Sequence, residues 1–339
     1  MTLAPFGVLH NDYKSRLVGL YAPMQAWPEH QLSGYQPLLR KWLDDVTENL
    51  WPEWRGGKWV GGAASRMEAA TEAELELAVR LYHGVALPDI LSETLDIPPS
   101  PDGRPTTHEW HYKIEDALIH DLLFQFMSLP VGQKPSFGFQ ASRQIGSNYL
   151  AYDPGFDIGI FEQLFWDGVL ARQPAIWDIK EHFQRPRPWT AAKALGVDGF
   201  RWVVAGDFFV THTGVHPSLL SGHCIQGILG GCTVYDALLQ QGGQLDPARL
   251  RAIQKYMVDW GDRRVFAGVH YMTDNIASWT LARRLIPFLF KNADRVKEFV
   301  VQAITEHSRV FADIVQNFAK DDPARQMLLA DFPEAGGLV

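Results

Sequence analysis

Ser221-Gly222-His223-Cys224-Ile225-Gln226-Gly227-Ile228-Leu229-Gly230-Gly231-Cys232-Thr233-Val234-Tyr235 is the stretch on which the reading of the fold turns. Ile225, Ile228, Leu229, Cys232 and Tyr235 recur at spacings of three and four, the period of a helix face. A proline-containing loop, His216-Pro217-Ser218, precedes it, so Ser221 reads as the N-cap. The first turn of a helix leaves N–H groups without intrahelical acceptors, and with the positive end of the helix dipole these make an anion site. Gly222 lets the backbone come close to bound oxygens.

Working outward, helical patterns cover the length of the chain and no sustained strand alternation occurs. Thr71-x-x-Glu74 reads as a capping box before Leu75, Val79 and Tyr82. Thr106 or Thr107 opens a helical segment reaching Met127 and stopped by Pro130. Asp246-Pro247 places a cap and a first-turn proline ahead of a helix through Trp260. Val296, Phe299, Val300, Ala303, Ile304, Phe311, Ile314, Val315 and Phe318 form one apolar stripe, which packs on the bundle or, as the alternative, on a second copy in a homo-oligomer. The aromatic span containing Trp27, Trp42, Trp51, Trp54 and Trp59 reads first as core, with a cap over a pocket as the alternative. With no linker or low-complexity run, residues 1–339 read as one all-α domain.

Charged and titratable residues cluster around the central helix. Lys180, Arg187 and Arg264 offer a point charge and two planar forks of donors, enough to surround a multiply charged anion. His270 and Asp274 are four apart, which on a helix sets the carboxylate over the imidazole, the arrangement that fixes a working histidine's tautomer. Arg264 lies six residues before His270, on a different face of a continuous helix, so a break is expected near Gly268. Taken singly, the three cations read as solvated surface charges. Their joint spacing separates them from that reading.

The order Lys-x6-Arg-Pro (Lys180, Arg187, Pro188), Ser-Gly-His (Ser221 to His223) and Arg-x5-His-x3-Asp (Arg264, His270, Asp274) resembles the signature shared by vanadium-dependent haloperoxidases and type 2 phosphatidic acid phosphatases. The motifs lie within residues 177–274. The resemblance implies an all-helical bundle in which Lys180, Arg187, Ser221, Gly222 and Arg264 hold phosphate or vanadate. It implies that His270 attacks phosphorus or coordinates vanadium as the metal ligand, that Asp274 orients it, and that His223 is the acid/base. Leu220 stands where the pattern has proline, and Arg263 where it has serine. Neither change removes a ligand, but Arg263 adds charge beside the pocket or points to solvent.

Two chemistries share that cradle. Trp177, three residues before Lys180, and His216, seven before His223, resemble the halide-pocket residues of bromide-oxidising haloperoxidases. This points to peroxide-dependent halogenation with vanadate as cofactor and with hydrogen peroxide, halide (bromide before chloride) and a small organic acceptor as partners. Trp177 reads equally well as core packing, and His216, His182 and His212 as ordinary histidines. Residues 180–189 also resemble soluble acid phosphatases, which keeps open hydrolysis of a phosphate ester through a phosphohistidine. A non-catalytic phosphate-binding protein is the third class.

Other classes are disfavoured. The net charge of −8 lacks the positive field that broad nucleic-acid binding needs. No run of about eighteen apolar residues appears, since 225–239 contains Asp236 and 285–290 is short, so no membrane contact is expected. The N-terminal Met1 to Phe6 lacks a basic region and apolar core, and the two cysteines, Cys224 and Cys232, stand about 12 Å apart along a helix, so a cytoplasmic location with free thiols is expected. His108-Glu109-Trp110-His111 with Glu115 puts two histidines three apart on an expected helix, a weak metal motif. No nucleophile elbow, Walker loop or dinucleotide fingerprint occurs.

Overall fold

The computed structural model of the protein describes residues 36–55, 58–61, 67–83, 92–96, 107–111, 176–201, 217–242, 247–266 and 268–338. His216, the Trp177 side chain, His212, Trp27, Glu115 and the N-terminal hexapeptide lie outside the described residues. In chain order the elements are α1 (Gln36–Asn49), β1 (Glu53–Arg55), β2 (Lys58–Val60), α2 (Met67–Ala78), β3 (Ser92–Asp96), β4 (Thr107–His111), α3 (Ile176–Phe183), α4 (Pro188–Leu195), α5 (Gly222–Gln240), α6 (Pro247–Phe266), α7 (Met272–Leu289), α8 (Ala293–His307), α9 (Arg309–Asn317) and α10 (Pro323–Asp331). Helix dominates. The strands form two separate antiparallel ladders, β1 with β2 and β3 with β4.

The core is built on α5, which packs along α6 and α7, while α8 closes against all three. Ile225, Ile228, Leu229 and Cys232, the residues that set the helical period, are fully buried there, and Tyr235 stacks on Phe299 of α8 at 4.1 Å. Gly227 permits a close approach of α5 and α6: a β-carbon there would sit 2.4 Å from the Met257 carbonyl oxygen and 2.6 Å from the Trp260 β-carbon. Trp42 of α1 anchors the N-terminal region, its indole N–H donating to the Ala277 carbonyl and the Thr280 hydroxyl of α7. Trp51 is likewise buried and donates to the Phe183 carbonyl at the end of α3. Trp54 and Trp59 are register partners in the β1–β2 ladder.

The C-terminal apolar stripe packs on the bundle. Val296, Phe299, Val300, Ala303, Ile304, Phe311 and Ile314 are buried, but Ser308 interrupts the helix and its hydroxyl caps α9 at Phe311 N–H. Cys224 and Cys232 are buried free thiols. Among the described residues no helix is long and apolar enough to cross a membrane.

Two expected local structures are replaced. Helix α2 begins at Met67, so Thr71 lies inside it, and Glu74, the supposed capping partner, makes long-range bonds instead. Thr107–His111 is a strand rather than the start of a helix, because Ser92–Asp96 supplies a ladder partner that local pattern cannot reveal. The helical spacing on which the metal motif at His108 and His111 rested is therefore absent.

Candidate functional site: helix ends converging on His270

Helix ends, not helix faces, assemble the site. Arg187 is the N-cap residue of α4, with Pro188 at the first helical position where its missing N–H does no harm. Ser221 is the N-cap of α5 as expected, its hydroxyl accepting from Cys224 N–H at 3.3 Å. Helix α7 starts after Tyr271, with Asp274 in its first turn. Three positive dipole ends therefore meet at this locus, which favours negative charge. Ser278 ties two of them together, its hydroxyl lying 2.9 Å from the Ser221 carbonyl and 2.8 Å from the Asp274 carbonyl.

The expected break at Gly268 is present. Gly268 N–H donates to Val265 and Val269 N–H to Arg264, with Gly268 at φ +68°, which closes α6 in a Schellman turn. His270 N–H also donates to the Arg264 carbonyl, so the chain reverses at once and brings His270 back beside the last turn of α6. His270 thus precedes α7 instead of lying on it. The pairing expected of a helix face is made by a helix start: Asp274 Oδ2 accepts from Tyr271 N–H and from His270 Nδ1, at 3.2 and 2.7 Å.

The tautomer of His270 follows from its partners. Arg187 Nη1 lies 3.0 Å from His270 Nε2 and 2.9 Å from the Val269 carbonyl. A guanidinium has only donors, so Nε2 must present its lone pair, and Nδ1 carries the proton that goes to Asp274. Electrostatics agree. Burial, followed by the Arg187 charge, pushes the imidazole well below its usual range despite the opposing pull of Asp274, so His270 is neutral. Burial opposes ionisation of Asp274 too, but the Arg185 guanidinium first, then His270 and the Ser218 hydroxyl, outweigh it and keep the carboxyl below the usual carboxylate range.

Lys180, Arg187, Ser221, Arg264, His223, His270 and Asp274 are all buried. Lys180 Nζ donates to the carbonyls of Pro217, Ser218 and Leu220 at 2.7–2.8 Å, which uses its three protons. Its charge thus sits behind the turn that leads into Ser221, holding that turn in place. Burial and then Arg187 push its ammonium well below the usual range. Gly222 opens α5, His223 follows with its ring 6.1 Å from that of Trp260, and Arg264 stands in the last turn of α6. Leu220 and Arg263, the two departures from the motif pattern, are buried, so Arg263 does not point to solvent. Of the remaining histidines, His182 pairs with Glu53 at 2.7 Å.

Residues outside the expected anion-binding set complete the network. Ser218 donates to Asp274 Oδ2 at 2.5 Å. Arg185 donates to Asp274 Oδ1 and Thr273 Oγ1 at 2.8 Å and to Glu74 at 3.2 Å, and its guanidinium lies 3.7 Å from the centre of the Tyr271 ring. Glu74 accepts from Thr273 N–H at 2.7 Å, so α2 caps the first turn of α7 from a distance. A cavity of about 350 Å³ borders this layer at Glu74, Arg185 and Thr273, and neither His223 nor His270 lines it. Among the described residues no cluster of three or more histidine, cysteine, aspartate or glutamate side chains forms a metal cage.

Comparison with known proteins identifies no relative: no family model, no curated protein and no solved structure matches the chain.

Proposed function

We propose that the chain is an enzyme of the vanadium-dependent haloperoxidase type, which oxidises halide, bromide more readily than chloride, at the expense of hydrogen peroxide and thereby halogenates a small organic acceptor. One observation carries this reading: a buried, neutral imidazole, His270, has its Nε2 lone pair held at the Arg187 guanidinium while an ionised carboxylate takes its other nitrogen's proton. That donor set suits a tetrahedral oxyanion such as vanadate, for which Nε2 is the ligand atom and Arg187, Arg264, Lys180 and the first turn of α5 supply positive potential.

Vanadate, when bound, contributes a Lewis-acidic centre that activates peroxide toward halide without a change in its own oxidation state. The chain's residues do the rest. Asp274 keeps Nδ1 protonated and the ring oriented. Arg187 transfers its Nη1 donor from His270 to the anion, which exposes the lone pair. His223 handles protons: peroxide, bromide and one proton give hypobromous acid and water, and an imidazole at the start of α5 is suited to deliver that proton. The resemblance of Trp177 and His216 to halide-pocket residues supports bromide.

The same neutral Nε2 also suits a phosphoryl acceptor, and the resemblance of residues 180–189 to soluble acid phosphatases favours that second reading. There His270 forms the phosphohistidine, His223 protonates the leaving alcohol, and the cations steady the transferring group. Purified protein incubated with vanadate and assayed for peroxide-dependent bromination, beside phosphate-ester hydrolysis without vanadate, separates the two. Bromination that disappears in His270→Ala is the expected result. Brisk hydrolysis without bromination reverses the assignment, and phosphate binding without either activity leaves a non-catalytic binding protein.

A further inference from the structure

We infer that Arg185, clamped by Glu74, is a positioning residue that locks the Asp274 carboxylate and through it the working tautomer of His270. The inference deepens the proposed site and rests on His270 being its nucleophile or ligand. Arg185 lies two residues from Arg187, yet the two guanidiniums have opposite assignments. Arg187 faces Nε2, on the side where an anion would sit. Arg185 faces Asp274 Oδ1, behind the histidine, and takes no part in holding Nε2.

The geometry makes Arg185 more than a neutralising charge. Asp274 divides its oxygens: Oδ2 accepts from Ser218, His270 and Tyr271, and Oδ1 accepts from Arg185. If Oδ1 were released, the carboxylate could rotate and Oδ2 would leave the line to His270 Nδ1. Arg185 is itself held from several sides, by Glu74 through Nη2, by Thr273 through Nη1, and by the Tyr271 and Trp51 rings at 3.7 and 5.1 Å from the guanidinium carbon. Glu74 in turn is fixed by Thr273 N–H and Oγ1. Each link is at most 7 % exposed, so these pairings are made inside the protein. A lysine cannot reproduce the arrangement, because a point ammonium lacks the planar fork that reaches Asp274 and Glu74 together.

The groups that bear on His270 are Asp274 from α7, Arg187 ahead of α4, Lys180 of α3, and behind Asp274 the Arg185–Glu74 pair with Tyr271.

The test uses nitrogen-resolved NMR of the imidazole in the ligand-free full chain, with the His270 signals assigned by their loss in His270→Ala. Wild type is expected to show a single neutral tautomer protonated at Nδ1. In the double variant Glu74→Gln, Arg185→Met, compared with wild type at one fixed pH, the Nδ1–H tautomer signal should broaden or split as the carboxylate loses its lock. Arg185→Lys keeps the charge and loses the fork, so it should broaden the tautomer signal in the same way but less. If the double variant does not fold, the lysine variant decides. An Nδ1–H tautomer signal as single and sharp as in wild type overturns the inference. Because no turnover is measured, the result stands apart from whether the chain oxidises halide or cleaves phosphate esters.

Discussion

Replacing Asp274 by Asn keeps the shape of the side chain and removes the acceptor on which four donors converge. Arg185 Nη1, Ser218 Oγ, His270 Nδ1 and Tyr271 N–H all end on this carboxylate, at 2.8, 2.5, 2.7 and 3.2 Å. An amide has one acceptor oxygen and one donor nitrogen. If its oxygen stays on Arg185, its nitrogen meets His270 Nδ1, and the ring must either lose that bond or change tautomer. A changed tautomer would set Nε2–H against Arg187 Nη1, donor against donor at 3.0 Å. Arg185 also loses one of its two buried anionic partners. Breaking a buried ion pair by removing one member costs about 3–5 kcal/mol, and Glu74 retains part of the pairing, so the lower end, about 3 kcal/mol, is expected. Denaturant unfolding followed by tryptophan fluorescence measures this. Turnover should suffer more than stability: an aspartate-to-asparagine change that imposes the wrong histidine tautomer in a serine-protease triad lowers kcat by about four orders of magnitude, and a drop of that order is expected for either activity. A variant within ~1 kcal/mol of wild type and within tenfold of its turnover would refute the reasoning.

Acid should weaken the fold in a definite window. Burial lowers His83 to a pKa of about 4 and holds His270 well below its usual range, so below about pH 6.5 the unfolded chain binds protons that the native state does not. Each group should make stability fall as pH drops from 6.5 toward 4 by up to about 1.4 kcal/mol per unit, with one group's worth offset by Asp262, and unfolding curves at stepped pH that stay flat would contradict this. Asp262 has the opposite sign. Buried beside Asp259 and bonded to Ser308 and Val310 N–H, it is pushed up to about 8, so the native state holds a proton that the unfolded chain has lost above about pH 4. Asp262→Asn should therefore gain on wild type as pH rises from 5 to 8; a stability difference independent of pH would show that the carboxyl is already ionised. Gly227→Ala tests the close contact of α5 and α6. Overpacking costs about 1–3 kcal/mol, against a helix-propensity gain of about 1 kcal/mol, so a net loss is expected by thermal unfolding, and a stabilised variant would show that the helices can separate freely.

What was legible in the sequence was local. Ser221 caps α5 and Gly268 ends α6 because N-caps and αL turns are written in a few adjacent residues. The His270–Asp274 contact was also foreseeable from a spacing of four, although a helix start makes it and not a helix face. Glu74 and Arg185 were not legible. Glu74 lies 199 positions from the Thr273 it caps and 111 from Arg185, and locally it imitates a capping box with Thr71. Arg185 was hidden beside the motif arginine, and only coordinates assign one guanidinium to each side of the histidine. Lys180 illustrates a different gap: its motif position indicated charge at the site, while the three carbonyls that take its protons belong to a loop whose path no pattern encodes. Thr107–His111 failed as a helix for the same reason that β-propensity is weak in isolation, since its partner strand is supplied by Ser92–Asp96.

The central claim is that His270 Nε2, Arg187 and the first turn of α5 enclose one tetrahedral oxyanion. Calorimetric titration of orthovanadate into the ligand-free protein tests it most directly. One equivalent should bind, orthophosphate should compete for the same site, and His270→Ala should abolish vanadate binding while remaining folded. No saturable binding to wild type, or equal binding to His270→Ala, would contradict the account.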